Sequence, residues 1–169
     1  CPEGMSVAQN VPMTLPERTS SEVFSDVRYA VCYGTLNERF WRRADTMLNL
    51  VGAIGGSAAV AGVLGSQATL SLIAGVLVAI SSAAQLVLRP ADRAQGFKEG
   101  RRAFLALEPS AWSASVVEVD AARRRLEAEL PIGFRLLEMP AYNAAMRGIG
   151  REDLVRPLNW RERIAMAAA

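Results

Sequence analysis

Small and weakly polar side chains recur through the middle of the chain at steps of three and four residues. Gly52 and Gly56 form a G-x-x-x-G pair, with Ala59 and Gly62 on the same broad face, and a similar pattern follows further along. In lipid, helices associate by close backbone approach across small residues, and Asn or Ser hydrogen bonds add about 1 kcal/mol each. The predicted packing or pore-lining positions are Asn49, Gly52, Gly56, Ser57, Ser71, Gly75, Ala79, Ser82 and Gln85.

Two interpretations of these positions stay open. They lock two helices of one chain together, or some of them meet around the symmetry axis of a homo-oligomer and line a pore. Such a pore would be weakly polar, with little charge selectivity. The absence of charge among these residues argues against a proton relay or an ion-coupled transporter, which place paired ionisable groups inside the membrane.

The element that must position these residues is the stretch 46–88, which contains no Asp, Glu, Lys or Arg. A bilayer core is about 30 Å thick and needs roughly 20 apolar residues of helix to cross it. The stretch holds two such lengths, 46–64 and 69–88, separated by Gly65, Ser66 and Gln67. The alternative is the buried centre of a soluble helical protein, but the remaining segments are charged and offer too little apolar cover. We therefore expect an all-α membrane protein with a two-helix transmembrane hairpin.

Both outer ends of this stretch are basic, and the turn between its halves carries no charge. The positive-inside rule then places both termini in the cytoplasm and only the short turn outside. Aromatic and basic side chains at headgroup level are typical membrane-interface anchors. The predicted anchors are Arg39, Trp41, Arg42, Arg43, Arg89 and Arg93.

The flanking segments predict four regions around the hairpin. Residues 1–19 contain three prolines and predict a flexible arm, and residues 20–45 predict a cytoplasmic stalk helix that continues into the first span as far as about Leu64. Residues 89–169 predict a cytoplasmic helical domain, with helices over 91–107, about 112–130 and about 140–150. A last short helix is expected after Asn159, which can cap it.

Composition excludes several classes of function. The chain has no histidine, and its two cysteines, Cys1 and Cys32, cannot form a zinc site alone. No Gly-rich phosphate loop or catalytic constellation is visible, so we expect neither an enzyme nor a cofactor. The net charge of +2 does not predict direct nucleic-acid binding. Cys1 indicates either a trimmed chain or a processed lipoprotein end; no signal sequence is visible, which favours trimming.

Four segments resemble the SLATT family of bacterial conflict systems. They are ERFWRRAD before the apolar stretch, FKEGRRAFLALE after it, and AYNAAMRGIG and PLNWRERI in the tail. The resemblance implies a cytoplasmic helix, two spans with a very short outer loop, and a helical cytoplasmic region. It also implies a pore-forming effector that oligomerises and permeabilises the bacterial inner membrane in an antiviral or abortive-infection response. The implied trigger is a signalling partner protein or a nucleotide second messenger.

Two other functions fit the same layout. A structural membrane anchor would use the hairpin only for attachment and its cytoplasmic helices to dock a partner. A phage holin would share the two spans and the lethality, but its cytoplasmic part is usually much smaller than the one expected here.

Overall fold

The computed structural model describes residues 18–65 and 68–169, and over these residues the chain is helical, without strands. The predicted arm lies outside the described residues except for Arg18 and Thr19. The helices are α1 (Ser20–Leu64), α2 (Ala68–Leu88), α3 (Pro90–Leu107), α4 (Ser110–Ser113), α5 (Val116–Glu129), α6 (Glu138–Gly148) and α7 (Trp160–Ala168), with single 3₁₀ turns at Arg135–Leu137 and Glu152–Leu154.

Helix α1 is the element against which the other helices pack. Its 45 residues extend about 67 Å at 1.5 Å per residue. It begins with a capping arrangement in which Glu22 Oε2 accepts from the Thr19 amide at 2.8 Å and Thr19 Oγ1 accepts from the Glu22 amide at 3.4 Å. With no proline between Pro16 and Pro90, nothing in the sequence interrupts the helix.

Helices α2 and α3 follow one another along the length of α1 and both contact it. Only Arg89 separates them, and it adopts a left-handed conformation with φ 45°. Pro90 then opens α3, a position where its missing N–H costs no helical hydrogen bond. This one-residue junction divides the molecule into two parts. We call residues 46–65 and 68–88 the apolar pair, and residues 18–45 with 90–169 the bundle.

The bundle is built around the first half of α1. Val23 and Val27 pack on Ala111 and Val119 near its start, and Phe104 packs on the next turns. Nearer to the apolar pair, α7 and the turn before α6 cover α1 through the cluster of Leu137, Ala165 and Ala169.

Two buried asparagines fix the irregular segments of the bundle. The Asn37 side chain accepts from the Phe134 amide at 2.7 Å and donates to the Tyr33 carbonyl at 3.0 Å. Asn143 donates to the Arg156 carbonyl at 2.7 Å and accepts from its amide at 2.9 Å. Because a backbone amide removed from water is costly to leave unpaired, these contacts hold the segments before α6 and α7 against the bundle.

An ionic cluster joins α5 to the start of α1. Asp120 is buried and accepts from Arg18 at 2.7 Å, from Arg123 at 3.1 Å and from Arg124 at 2.6 Å. Burial alone would raise the pKa of the Asp120 carboxyl. The hydrogen bond and charge of Arg123, with the charges of Arg124 and Arg18, outweigh that effect and hold the pKa below its ordinary value.

Two helices are long and apolar enough to cross a membrane. The core helix of a soluble protein can pass the same test, but it would be covered by the rest of its fold. Here only 6% and 11% of the two apolar windows is buried. Large side chains such as Ile54, Leu72 and Leu86 point away from the protein. The all-helical prediction is confirmed, and the soluble-core alternative is disfavoured because the described chain does not cover its apolar helices.

Candidate functional site: the faces of the apolar pair

The apolar pair is held together by small residues spaced at three and four positions. On α1 the contact residues are Gly52, Gly55, Ala59 and Gly62, and on α2 they are Ser71, Ala74, Val78 and Ser81. We call this contact surface the seam. Gly52 faces Ser81 and Gly62 faces Ser71, so the residue number rises along one helix as it falls along the other. The two helices are therefore antiparallel, and their contacts recur at steps of three and four residues, an average period of about 3.5 residues.

Two of the three seam glycines, Gly55 and Gly62, leave no space for a side chain. A Cβ atom at Gly55 would lie 2.8 Å from Val78 Cγ2 and 3.3 Å from the Ala74 carbonyl oxygen. At Gly62 it would lie 2.9 Å from the Ser71 amide nitrogen. Such separations are shorter than carbon contacts allow, so glycine sets the distance between the helices.

Several polar groups of the apolar pair hydrogen-bond within it. Ser71 Oγ donates to the Ala59 carbonyl across the seam at 3.2 Å, and Ser81 Oγ donates to the Val78 carbonyl at 3.0 Å. At the end nearest the bundle, Gln85 Nε2 donates to Asn49 Oδ1 at 3.1 Å. Two of the predicted polar positions, Asn49 and Gln85, thus join α1 to α2.

The G-x-x-x-G pair does not act as one surface. Gly52 lies on the seam, where its Cβ position is 3.6 Å from Ser81 Oγ, whereas nothing lies within 4 Å of the Cβ position of Gly56. The physical reason is the period of the contact. Residues that face one partner helix recur about every 3.5 positions, which selects residues 52, 55, 59 and 62 and leaves residue 56 beside the contact. Gly75 on α2 has the same open surroundings as Gly56.

The open glycines belong to one side of the apolar pair. Gly56, Gly75 and Ser82 each come one residue after a seam residue, and Asn49 holds the equivalent place one heptad before Gly56. Each step of one residue towards the C-terminus rotates the side chain by about 100° around the helix axis. Because the two helices are antiparallel, this rotation brings the residues that follow seam residues on α1 and on α2 to the same side of the pair. We call Asn49, Gly56, Gly75 and Ser82 the small flank.

The opposite side of the apolar pair is bulkier. Val51, Leu70 and Leu77 each come one residue before a seam residue, and all three are exposed. Of the other predicted positions, Ala79 is exposed next to the small flank. Ser57 points away from the seam and donates to its own helix at the Ala53 carbonyl, 2.9 Å away. The side with the small flank also carries the exposed Val60 and Leu72, which follow the seam residues Ala59 and Ser71, so its small positions are interrupted by large ones.

Trp41 lies inside the bundle instead of at its surface. Its side chain is only 7% exposed and packs on Ala94 and Phe97 of α3. The Arg93 guanidinium carbon lies 4.7 Å from the ring centroid, a cation–π contact. The sequence predicts Trp41 and Arg93 as separate interface anchors. The structure instead brings them together as a packing contact, because α3 returns along α1 and covers this face.

The other basic residues near the apolar pair are used in several ways. Arg42 and Arg101 both bind the buried carboxylate of Glu38, at 2.6 and 3.1 Å. Arg43 donates to the Ala167 carbonyl of α7 at 3.1 Å. The remaining predicted anchors, Arg39 and Arg89, are exposed. The boundary between bundle and apolar pair thus keeps exposed positive charge on α1 and at the α2–α3 junction.

Burial makes two potentially nucleophilic side chains of the bundle harder to ionise. Burial raises the pKa of Tyr29 to about 12, and the nearby Glu138 carboxylate acts in the same direction. Burial also raises the pKa of the Cys32 thiol, against a smaller opposite effect of Arg28. Within the described ranges, no group of three or more His, Cys, Asp or Glu side chains could hold a metal ion.

Comparisons of the chain with protein-family models, with curated proteins and with solved structures find no match.

Sequence reasoning missed Gly55 and Ser81, which the seam requires. The signal that would have found them is the step of three between Gly52 and Gly55 followed by the step of four to Ala59. A search for the four-residue step alone selects Gly56 in place of Gly55.

Proposed function

We propose that the chain is a pore-forming membrane effector. It would oligomerise and permeabilise the bacterial inner membrane in an antiviral or abortive-infection response. The observation that carries this proposal is the small flank. Within each chain the seam uses one set of small residues, and a second set, including Gly56 and Gly75, is left open on an uncharged surface.

Membrane physics supports self-association through the small flank. Lipid chains are as apolar as leucine, so helices gain little from burying large side chains against one another. They gain by close approach, which Gly56 and Gly75 permit, and by hydrogen bonds, which Ser82 can offer. The bulky side with Val51, Leu70 and Leu77 suits contact with lipid chains.

The proposed topology is a transmembrane hairpin with both termini cytoplasmic. Basic residues lie on both sides of the apolar pair at its bundle end, and the positive-inside rule places that end in the cytoplasm. The proposed lumen would be lined by amide, hydroxyl and backbone groups without charge. It would select poorly among small ions, which suits a function that collapses the membrane potential.

The resemblance to the SLATT family supports the biological setting of this proposal. The trigger would be a signalling partner protein or a nucleotide second messenger that acts on the bundle to favour assembly. A high density of chains, in an overexpressing cell or in a vesicle, favours the same assembly by mass action. The described bundle is large, comprising the stalk of α1 and five further helices. That size counts against a holin, which needs little cytoplasmic structure.

A membrane anchor that docks a partner is the second candidate. The observation favouring it lies at the end of the bundle far from the apolar pair, where Trp112 and Val117 are exposed. An anchor would need the seam but not the small flank, and this difference separates the two functions.

The test is inducible expression in a bacterial host with a membrane-potential dye. The wild type is compared with Gly56→Leu, which fills the small flank, and with Ala61→Leu, which adds similar volume at an exposed position on the far side of α1. A pore predicts depolarisation by the wild type and by Ala61→Leu, and none by Gly56→Leu, with all three proteins recovered from the membrane fraction. Equal behaviour of Gly56→Leu and the wild type would favour the anchor.

A further inference from the structure

Helix α7 carries an exposed surface that the proposed pore does not use. The helix begins at a capping box, in which the Asn159 side chain accepts from the Glu162 amide and the Glu162 carboxylate accepts from the Asn159 amide at 2.7 Å. Asn159 Oδ1 also accepts from the Trp160 amide at 2.7 Å. Its inner face packs on Leu137 through Ala165 and Ala169. This packing holds α7 at one orientation on the bundle.

The outer face of α7 is apolar with a basic border. Trp160 is 63% exposed and Ile164, one turn later, is 60% exposed. Arg161 and Arg163 are exposed beside them, and the Arg161 guanidinium lies 5.3 Å from the Trp160 ring centroid. Glu162 is the acidic residue of the helix, and its carboxylate is bound at the helix start by the Asn159 amide. The outer face therefore carries no acidic side chain.

The last turn of α7 lies near the start of the apolar pair. The Arg43 guanidinium donates to the Ala167 carbonyl, so the last turn of α7 lies beside α1 just before the uncharged stretch begins. A cavity of about 470 Å³ at this contact is lined by residues of both helices, including Met47 of the apolar pair. The nine residues of α7 extend about 13 Å from this point.

We propose that α7 lies on the anionic phospholipid headgroups of the leaflet at which α1 and α2 enter the membrane. Trp160 and Ile164 would reach the headgroup layer, and Arg161 and Arg163 would pair with lipid phosphates. An amphipathic tryptophan with flanking arginines matches the polarity of that layer. A symmetric contact between two copies of this face would instead place arginines against arginines. The proposal rests on the insertion of the hairpin but not on pore formation.

The experiment measures quenching of tryptophan fluorescence by brominated lipid chains, with purified full-length protein reconstituted in phosphatidylglycerol-containing vesicles. One variant, Trp112→Phe, retains Trp160. Its matched control, Trp160→Phe, retains Trp112, which is also 63% exposed but packs on Phe24, about 33 Å along α1 from the start of the apolar pair. Trp41 stays in both variants as a constant background.

The expected result is a large loss of emission on bromination for Trp112→Phe and little change for Trp160→Phe. Adding Arg161→Glu and Arg163→Glu to the Trp112→Phe variant should abolish the difference. Each arginine near an anionic surface is worth roughly a fivefold change in membrane contact.

Other outcomes would overturn the proposal in distinguishable ways. Equal quenching of the two variants in vesicles with which the protein floats would refute docking of α7 and leave hairpin insertion intact. Failure to float would refute insertion, and docking with it. Strong quenching that survives both charge reversals would refute the role of anionic headgroups. Selective quenching in vesicles that the protein does not permeabilise would support docking while contradicting the pore.

Discussion

The substitution Gly62→Ala should leave the protein less stable than Gly56→Ala does, although the two make the same chemical change within two turns of one helix. A Cβ atom at residue 62 would lie 2.9 Å from the backbone amide nitrogen of Ser71, about 0.5 Å inside ordinary contact distance. A backbone atom cannot rotate away, so α2 must move. A Cβ atom at residue 56 meets nothing within 4 Å.

The magnitude follows from two effects. Replacing glycine by alanine within a helix favours the helix by about 1 kcal/mol, and this gain is common to both variants. Overpacking a close contact costs about 1–3 kcal/mol, and only Gly62→Ala incurs it. The difference between the two variants isolates the overpacking, so Gly62→Ala should be less stable than Gly56→Ala by about 1–3 kcal/mol.

The assay is unfolding in mixed detergent micelles, followed by far-UV circular dichroism at a concentration where the chain is monomeric. Monomeric conditions matter because Gly56 is a proposed contact between copies. Equal stability of the two variants, or a less stable Gly56→Ala, would refute the seam and with it the distinction between seam and small flank.

Four further outcomes are expected. In a background without cysteine, Ser82→Cys should cross-link two chains in the membrane under mild oxidation, whereas the exposed Ile80→Cys on the far side of α2 should not; equal cross-linking would contradict a small-flank interface. Arg89→Gly should stabilise the protein by about 0.5–1 kcal/mol in thermal unfolding, because φ 45° is strained for a residue with a side chain. Asn37→Ala should lower the free energy of unfolding by about 1–3 kcal/mol, because it leaves a buried backbone amide unpaired. The lowered native pKa of Asp120 adds stability above about pH 4 that is lost as the pH falls, so Asp120→Asn should show a weaker loss of thermal stability in acid than the wild type.

Much of the helical layout follows from the sequence alone. The uncharged stretch and the lack of proline predict a first helix from about residue 20 to Leu64, and α1 has those bounds. The second predicted span, 69–88, differs from α2 by one residue. Asn159 caps the last helix as its type and position suggest. Hydropathy, proline and capping residues act locally, which is why a single sequence reveals them.

The faces of these helices were harder to predict because they depend on partners. A single helix considered alone groups Gly52 with Gly56, and only the antiparallel path of α2 separates them. Trp41 beside two arginines resembles an interface anchor until α3 is known to return over it. In both cases the sequence specifies the side chain, and a distant segment determines what it contacts.

The most direct test of the account is ion flux from liposomes that contain only this purified chain. Vesicles loaded with a fluorescent ion reporter are compared for the wild type, Gly56→Leu and Ala61→Leu, with flotation and resistance to alkaline extraction confirming insertion of each. The account predicts flux through the wild type and Ala61→Leu, and its loss in Gly56→Leu. Inserted wild-type protein that leaves vesicles as tight as protein-free ones, or a Gly56→Leu variant that conducts as well as the wild type, would contradict it.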